Sequence, residues 1–380
     1  MQNNLSKILT LVFIIVLYHI YNPVFTSILA DWSGQDFQWQ PSKCVFEGIN
    51  HYSSYLKEDN LCPKFKSQNG DYAQGLYIIL YPFTLFEWET AKILWSFLNI
   101  ILVITITFLL CKKFELGKIN TILSIFFVLY SKVTPNNIAL GQQGIFILFF
   151  LVLPFIFNSK FIYILSGISY FKYNIGYALF LFYFVKKEFK NLLYSLIPII
   201  AGIFLYCFFT DTNILVNIFQ PIKLMLKSTT VFNNTFLFSF VNEFLPFNRT
   251  IQLVITLLLT LSLNIFLIFK ISKIDDDLLK LSCLSITILI SMPHHGHDYI
   301  LMIPLLIFSI KNFQFGTLLN YLNLLTSIYF LHFYNVIPLI FNDLQLLQSF
   351  SKYFQVLGLF LLLMLNLLKN DFDIKKRGKN

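Results

Sequence analysis

The chain has 380 residues, of which 57% are hydrophobic and only 12% charged. Soluble domains carry about 25% charged residues, so an ordinary soluble fold is excluded. The formal net charge is +9, but the basic residues fall in short breaks between apolar runs, which is membrane topology and not a nucleic-acid surface.

Near-continuous apolar runs predict an all-α polytopic membrane protein, one embedded domain over residues 1–380. About 12 membrane segments are expected, near 8–30, 89–111, 119–133, 144–158, 161–171, 175–185, 189–210, 250–271, 277–293, 299–311, 315–333 and 352–369. Several are shorter than the ~20 residues of a perpendicular helix. The run from Ile8 to Ala30 is too long for a signal peptide and is expected to remain as the first span. With the amino terminus inside, Lys112, Lys113, Lys160, Lys186, Lys187 and the tail 370–380 share the cytoplasmic side. Residues 31–88 and 211–249 become the large outer loops, so the protein is expected to work at the non-cytoplasmic face. That face belongs to a plasma membrane in a bacterium or to the endoplasmic reticulum in a eukaryote.

The first outer loop opens GQDFQWQPSKCVFEGINHYSSYL. Asp36 stands there among Trp32, Phe37 and Trp39. Aromatic neighbours desolvate a carboxylate and raise its basicity, which suits a general base. The other acids of the loop, Asp31, Glu47, Glu58, Asp59 and Asp71, read as solvated charges. Cys44 and Cys62 share the loop, and an oxidising compartment would favour a disulfide between them. Residues 76–88 are too short to span and too apolar for a free loop, so an interfacial helix is expected around Tyr81-Pro82. Trp88 and Trp95 read as aromatic-belt anchors.

Further on, TPNNIALGQQGIF puts Asn136, Asn137, Gln142 and Gln143 at a turn between apolar runs. They are either a plain turn or amide donors lining an outer cavity. Lys160 and Lys186 both belong inside, so an even number of passes must separate them, and the chain is expected to break at Lys172. A cation at such a break needs an anion. With no acid near it in sequence, Lys172 either binds a lipid phosphate or snorkels to headgroups. The second outer loop carries VFNNTF in an aromatic, amide-rich stretch that is almost uncharged until Glu243. The stretch PHHGHDY gathers His294, His295, His297 and Asp298. His294 and His297 have a spacing that zinc ligands use, without the Glu and helix of a metalloprotease motif. Hydrogen bonding to a polar or phosphorylated substrate is the stronger reading. No cofactor is required, although a divalent metal is compatible.

Taken in order, these motifs resemble the GT-C glycosyltransferases, and most closely glycosyltransferase family 87, which includes polyprenol-phosphate-mannose-dependent mannosyltransferases. The resemblance rests on Asp36-Phe37, Gly48 and Tyr52, on Tyr81-Pro82-Phe83, on Gly141-Gln142, on Lys172 in its broken span, on Asn234 to Phe236, and on Pro293, His297 and Asp298. The chain departs from the family where Phe83 and Tyr173 replace expected prolines. The resemblance implies a GT-C helical bundle and an inverting hexosyl transfer from a polyprenyl-phosphate sugar to a lipid or glycan acceptor. It implies Asp36 as base, with Lys172, His294, His297, Asp298, Gln142, Tyr81 and Asn234 around the donor. The rival readings are a secondary transporter, which favours internal repeats and midplane charges, and a non-catalytic assembly protein.

Overall fold

The computed structural model describes parts of 10–29, then 34–65, 68, 70–227, 248–292, 295–313, 317–334 and 355–370. These residues form helices and turns, and no strand occurs among them. Three helices are long and apolar enough to cross a membrane: Trp88–Lys113, Phe189–Thr210 and Val254–Ile271, the last within Arg249–Ile271. At 1.5 Å per residue, about 20 residues cross a ~30 Å hydrocarbon layer. These helices expose Phe97, Ile101, Phe108, Phe204, Phe208 and Leu257, a surface suited to lipid.

The remaining apolar segments are shorter than a full span. Val133–Leu140 and Gly144–Ile156 meet at a bend of 117° and make at most one broken span. Lys160–Ser166 tightens into a 3-10 turn over Gly167–Phe171, and Tyr173–Val185 then starts a new helix. Asp277–Ser291 and Ile303–Asn312 are likewise separated by a 3-10 turn, Gly296–Met302. So the expected break at Lys172 is present, and two further breaks accompany it.

Helix boundaries follow local chemistry. The Asp276 carboxylate accepts from the Leu278 and Leu279 N–H groups, and Asn248 and Ser159 cap their helices the same way. Lys112 and Lys113 occupy the last turn of Trp88–Lys113, where positive charge meets the free carbonyls. At this end, Lys113, Lys186, Glu188, Asp277 and Lys280 surround a cavity of about 380 Å³.

The first polar segment is itself folded. It contains Trp39–Phe46, His51–Lys57, Gln74–Ile79 and Tyr81–Thr84, with Cys44 and Cys62 joined in a disulfide. In place of one interfacial helix over 76–88 there are two short helices that meet at Leu80. Gln74–Ile79 lies against the long helix Phe189–Thr210 because both carry glycine at the contact. A Cβ on Gly202 would stand 2.4 Å from the Gly75 Cα, and one on Gly75 would stand 2.3 Å from the Phe171 ring. The Ala73 N–H donates to the Phe171 carbonyl at 3.0 Å. The folded segment is thereby fastened to the backbone beside Lys172.

Trp95 is not an interface anchor. It is buried, stacks on Phe37 at 5.1 Å and donates its indole N–H to the Gly141 carbonyl at 3.1 Å. The Trp88–Lys113 helix turns this residue inward to receive Phe37, so the ring serves the core rather than the headgroups.

Candidate functional site

Asp36 sits on a short turn that is hydrogen-bonded to the end of Val133–Leu140. Its N–H donates to the Leu140 carbonyl at 3.0 Å, and the Gly34 N–H donates to the Ala139 carbonyl at 3.0 Å. The Gln143 amide donates to the Asp36 carbonyl at 2.8 Å. Gly141 makes this approach possible. Its φ is +69°, and a Cβ there would lie 2.7 Å from the Phe37 Cβ. The Gly-Gln turn therefore supports the backbone that carries Asp36.

Both oxygens of the Asp36 carboxylate accept hydrogen bonds, Oδ2 from the Tyr72 hydroxyl at 2.8 Å and Oδ1 from the Gln38 amide at 3.1 Å. The side chain keeps part of its surface open. Burial, and then the negative charge of Asp71, push the Asp36 carboxyl up to about 7. Lys172 and the Tyr72 hydrogen bond pull the other way, and Asp298 adds a smaller push. The residues expected to wall Asp36 face elsewhere: Phe37 stacks among Phe83, Trp88 and Trp95, and the Trp39 indole donates to the Phe83 carbonyl at 3.2 Å. Trp32 lies outside the described residues.

Lys172 ends the Gly167–Phe171 turn in an extended conformation that aims its side chain inward. Its ammonium donates to Asp298 Oδ1 at 2.6 Å, and both side chains are buried. The sequence shows no acid near Lys172, and the fold supplies one from 126 positions away. Asp298 also accepts from the His295 N–H at 3.0 Å, while the His297 Nε2 lies 3.8 Å from its other oxygen. Burial alone would raise the Asp298 carboxyl, but the charge of Lys172, with His297 and the hydrogen bonds, holds it below the usual carboxylate range. Asn137 ties this turn to the Gly-Gln turn by donating to the His297 carbonyl at 2.7 Å.

Asp36, Lys172, Asp298 and His297 thus belong to one electrostatic neighbourhood. Gln142 is buried on the turn beneath it, and the side-chain oxygens of Asn137, Gln142 and Gln143 have no donor. An unpaired buried acceptor costs about 1–3 kcal/mol, so these oxygens are acceptors open to a donor from water or a ligand. Tyr81 stands apart from the cluster. It is exposed and packs on Phe46 at 4.1 Å. Asn234 and His294 lie outside the described residues. Among the described residues, no group of three His, Cys, Asp or Glu is arranged to hold a metal ion.

The structure adds Asp71, Tyr72 and Gln38 to the neighbourhood. Asp71 is not a solvated charge. Its carboxyl is raised by burial and feels Lys172 and His295. The one signal in the sequence is its place in Gly70-Asp71-Tyr72, a glycine and an aromatic around an acid. Glu58 and Asp59 are exposed, as expected of loop charges.

The sequence model of glycosyltransferase family 87 matches residues 72–292. The match takes in Tyr72, Gln142 and Lys172 and ends short of Asp36 and Asp298. No curated protein and no solved structure matches the chain.

Proposed function

The chain belongs to glycosyltransferase family 87, and from that premise we propose that it transfers a hexose, mannose-like, from a polyprenyl-phosphate donor to a lipid or glycan acceptor. The observation that carries this reading is the Asp36 carboxylate, raised to about 7, in the same neighbourhood as the buried Lys172–Asp298 pair. A base must hold a proton near working pH, and a leaving phosphate needs donors and positive charge.

In this mechanism Asp36 takes the proton of an acceptor hydroxyl. That oxygen bonds to the anomeric carbon as the bond to the phosphate oxygen breaks. Polyprenyl phosphate leaves with the bonding electrons, and one displacement inverts the configuration. An ammonium has three N–H donors, and one of Lys172's goes to Asp298, so others are free to meet phosphate oxygens. Asp298 supplies the opposite charge for the buried Lys172, and His297 borders the pair. The convergence of Lys113, Lys186 and Lys280 at one end of the bundle supports a cytoplasmic placement of that end. The Asp36 neighbourhood is then assigned to the other face, where lipid-linked sugars are consumed without nucleotide.

The test uses purified full-length protein in vesicles, with radiolabelled polyprenyl-phosphate mannose and membrane lipid acceptors. Wild type should label the acceptor with inverted anomeric configuration, and Asp36→Asn should not, while keeping the same melting temperature. Full transfer by Asp36→Asn removes Asp36 as the base. Transfer from a nucleotide sugar alone removes the lipid-phosphate donor.

A further inference from the structure

The Asp36 carboxylate has its two hydrogen-bond donors governed by one three-residue stretch, Gly70–Tyr72. Tyr72 donates directly to Oδ2. Gln38 donates to Oδ1 while its own carbonyl oxygen accepts from the Gly70 N–H at 3.1 Å. The stretch is itself fixed by buried groups. His51 Nε2 meets the Gly70 carbonyl at 3.2 Å, the Tyr52 hydroxyl donates to the Tyr72 carbonyl at 2.6 Å, and the Tyr72 N–H donates to the Tyr77 hydroxyl at 3.1 Å. Between the two anchored residues stands Asp71, whose largely buried carboxylate lies close enough for its charge to act on Asp36.

We propose that Gly70–Tyr72 is a clamp on the base of the transfer reaction, in which Tyr72 and Gln38 orient the Asp36 carboxylate and Asp71 supplies a nearby negative charge that makes it a stronger proton acceptor. This rests on Asp36 being the base. Tyr72 and Asp71 are positioning residues in this scheme, because they act through Asp36. Their effects on proton affinity oppose each other. A hydrogen bond to the charged form favours ionisation, and a like charge disfavours it. The groups that act on Asp36 are Asp71 and Tyr72 from the clamp, Lys172 from the helix break and Asp298 from the Gly296–Met302 turn. Burial acts most strongly; of the charged and hydrogen-bonding groups Asp71 comes first, Lys172 and then Tyr72 pull the other way, and Asp298 adds the smallest push.

The clamp is tested without substrate by infrared titration of purified full-length protein in nanodiscs. The carbonyl band of a protonated carboxylic acid that disappears in Asp36→Asn belongs to Asp36, and its midpoint in wild type should lie near 7. Asp71→Asn should lower that midpoint by about one unit and Tyr72→Phe should raise it by about one unit. Asp71→Glu, which keeps the charge, should restore it. A purely structural role would not move the two variants in opposite directions. Unchanged midpoints in both folded variants, or shifts of the same sign, overturn the clamp. The base itself is judged separately, by loss of sugar transfer in Asp36→Asn, so either idea can fail alone.

Discussion

Lys172 and Asp298 form a buried ion pair, 2.6 Å apart, between two separate breaks in the helical bundle. Removing one partner leaves an uncompensated buried charge, which costs about 3–5 kcal/mol. Lys172→Ala and Asp298→Ala should each lower the melting temperature and abolish transfer. Replacing both with apolar residues, Lys172→Met with Asp298→Leu, should recover most of the stability and none of the transfer. Thermal unfolding in detergent beside a transfer assay separates the two effects. Wild-type activity in the stable double variant would remove the pair from the donor site.

The Asp36 carboxyl, pushed up to about 7, sets a pH dependence. Only the ionised form accepts a proton, so kcat/KM should rise with pH and level off above 7. At pH 5 the ionised fraction is about a hundredfold below its plateau, and transfer should fall by a similar factor. Stability has the opposite sign. A carboxyl raised in the folded state binds its proton more tightly there, so its contribution is lost as pH rises from the ordinary carboxylate range through 7. A transfer profile flat from pH 5 to 8 would contradict the assignment.

Gly141 joins the Asp36 turn to the helix bend. Gly141→Ala places a Cβ at a φ of +69° and 2.7 Å from the Phe37 Cβ. The left-handed conformation alone costs about 1 kcal/mol, and the contact forces the two turns apart. Transfer should drop more than tenfold while the helices persist, as followed by circular dichroism. Wild-type kinetics in this variant would mean that the Gly-Gln turn does not position Asp36.

The sequence reveals the break at Lys172 because Lys160 and Lys186 both belong on one side and the stretch between them is too short for two full spans. It conceals the partner. Nothing in local pattern says that a turn 126 residues later returns to the same place, since that depends on how helices pack. Asp71 fails for a related reason. It reads as a loop charge because the pattern cannot say that its loop folds back over His51, Tyr52 and Tyr77. Trp95 is misread because indole at the end of an apolar helix fits both a headgroup belt and a stacking partner, and Phe37 decides between them. The stretch read as a polar turn at Asn136 and Asn137 is itself a short helix, Val133–Leu140, that bends by 117° into Gly144–Ile156, because the pattern does not show where a turn becomes helical.

The disulfide between Cys44 and Cys62 closes a loop with a sequence separation of 18. Closing a loop of this size stabilises by about 3 kcal/mol. The loop takes in the end of Trp39–Phe46 and the whole of His51–Lys57, whose His51 anchors the Gly70 carbonyl. Reduction, or Cys44→Ser with Cys62→Ser, should expose the first folded segment to protease before the long helices melt. Equal protease resistance with and without reductant would show that the bridge adds nothing to this segment.

His51 carries the last prediction. It is fully buried, and burial lowers its imidazole to about 3. A carbonyl can only accept, so Nε2 carries the proton toward Gly70 and Nδ1 accepts from the Tyr206 hydroxyl at 3.0 Å. The Tyr206 hydroxyl also reaches Asn50 Oδ1 at 3.2 Å, so it is burial of the ring, and not loss of this contact, that opposes a second proton. With the folded value below the ordinary 6.5, its contribution to stability is complete above 6.5 and is lost as pH falls toward 3. From pH 6.5 to 4 the loss from His51 runs against the gain from Asp36, so the His51 contribution is read as the difference between wild type and His51→Gln. His51→Gln, which cannot titrate, should start lower at pH 7, and the gap to wild type should close as pH falls. Parallel slopes in the two proteins would assign the acid sensitivity to other groups.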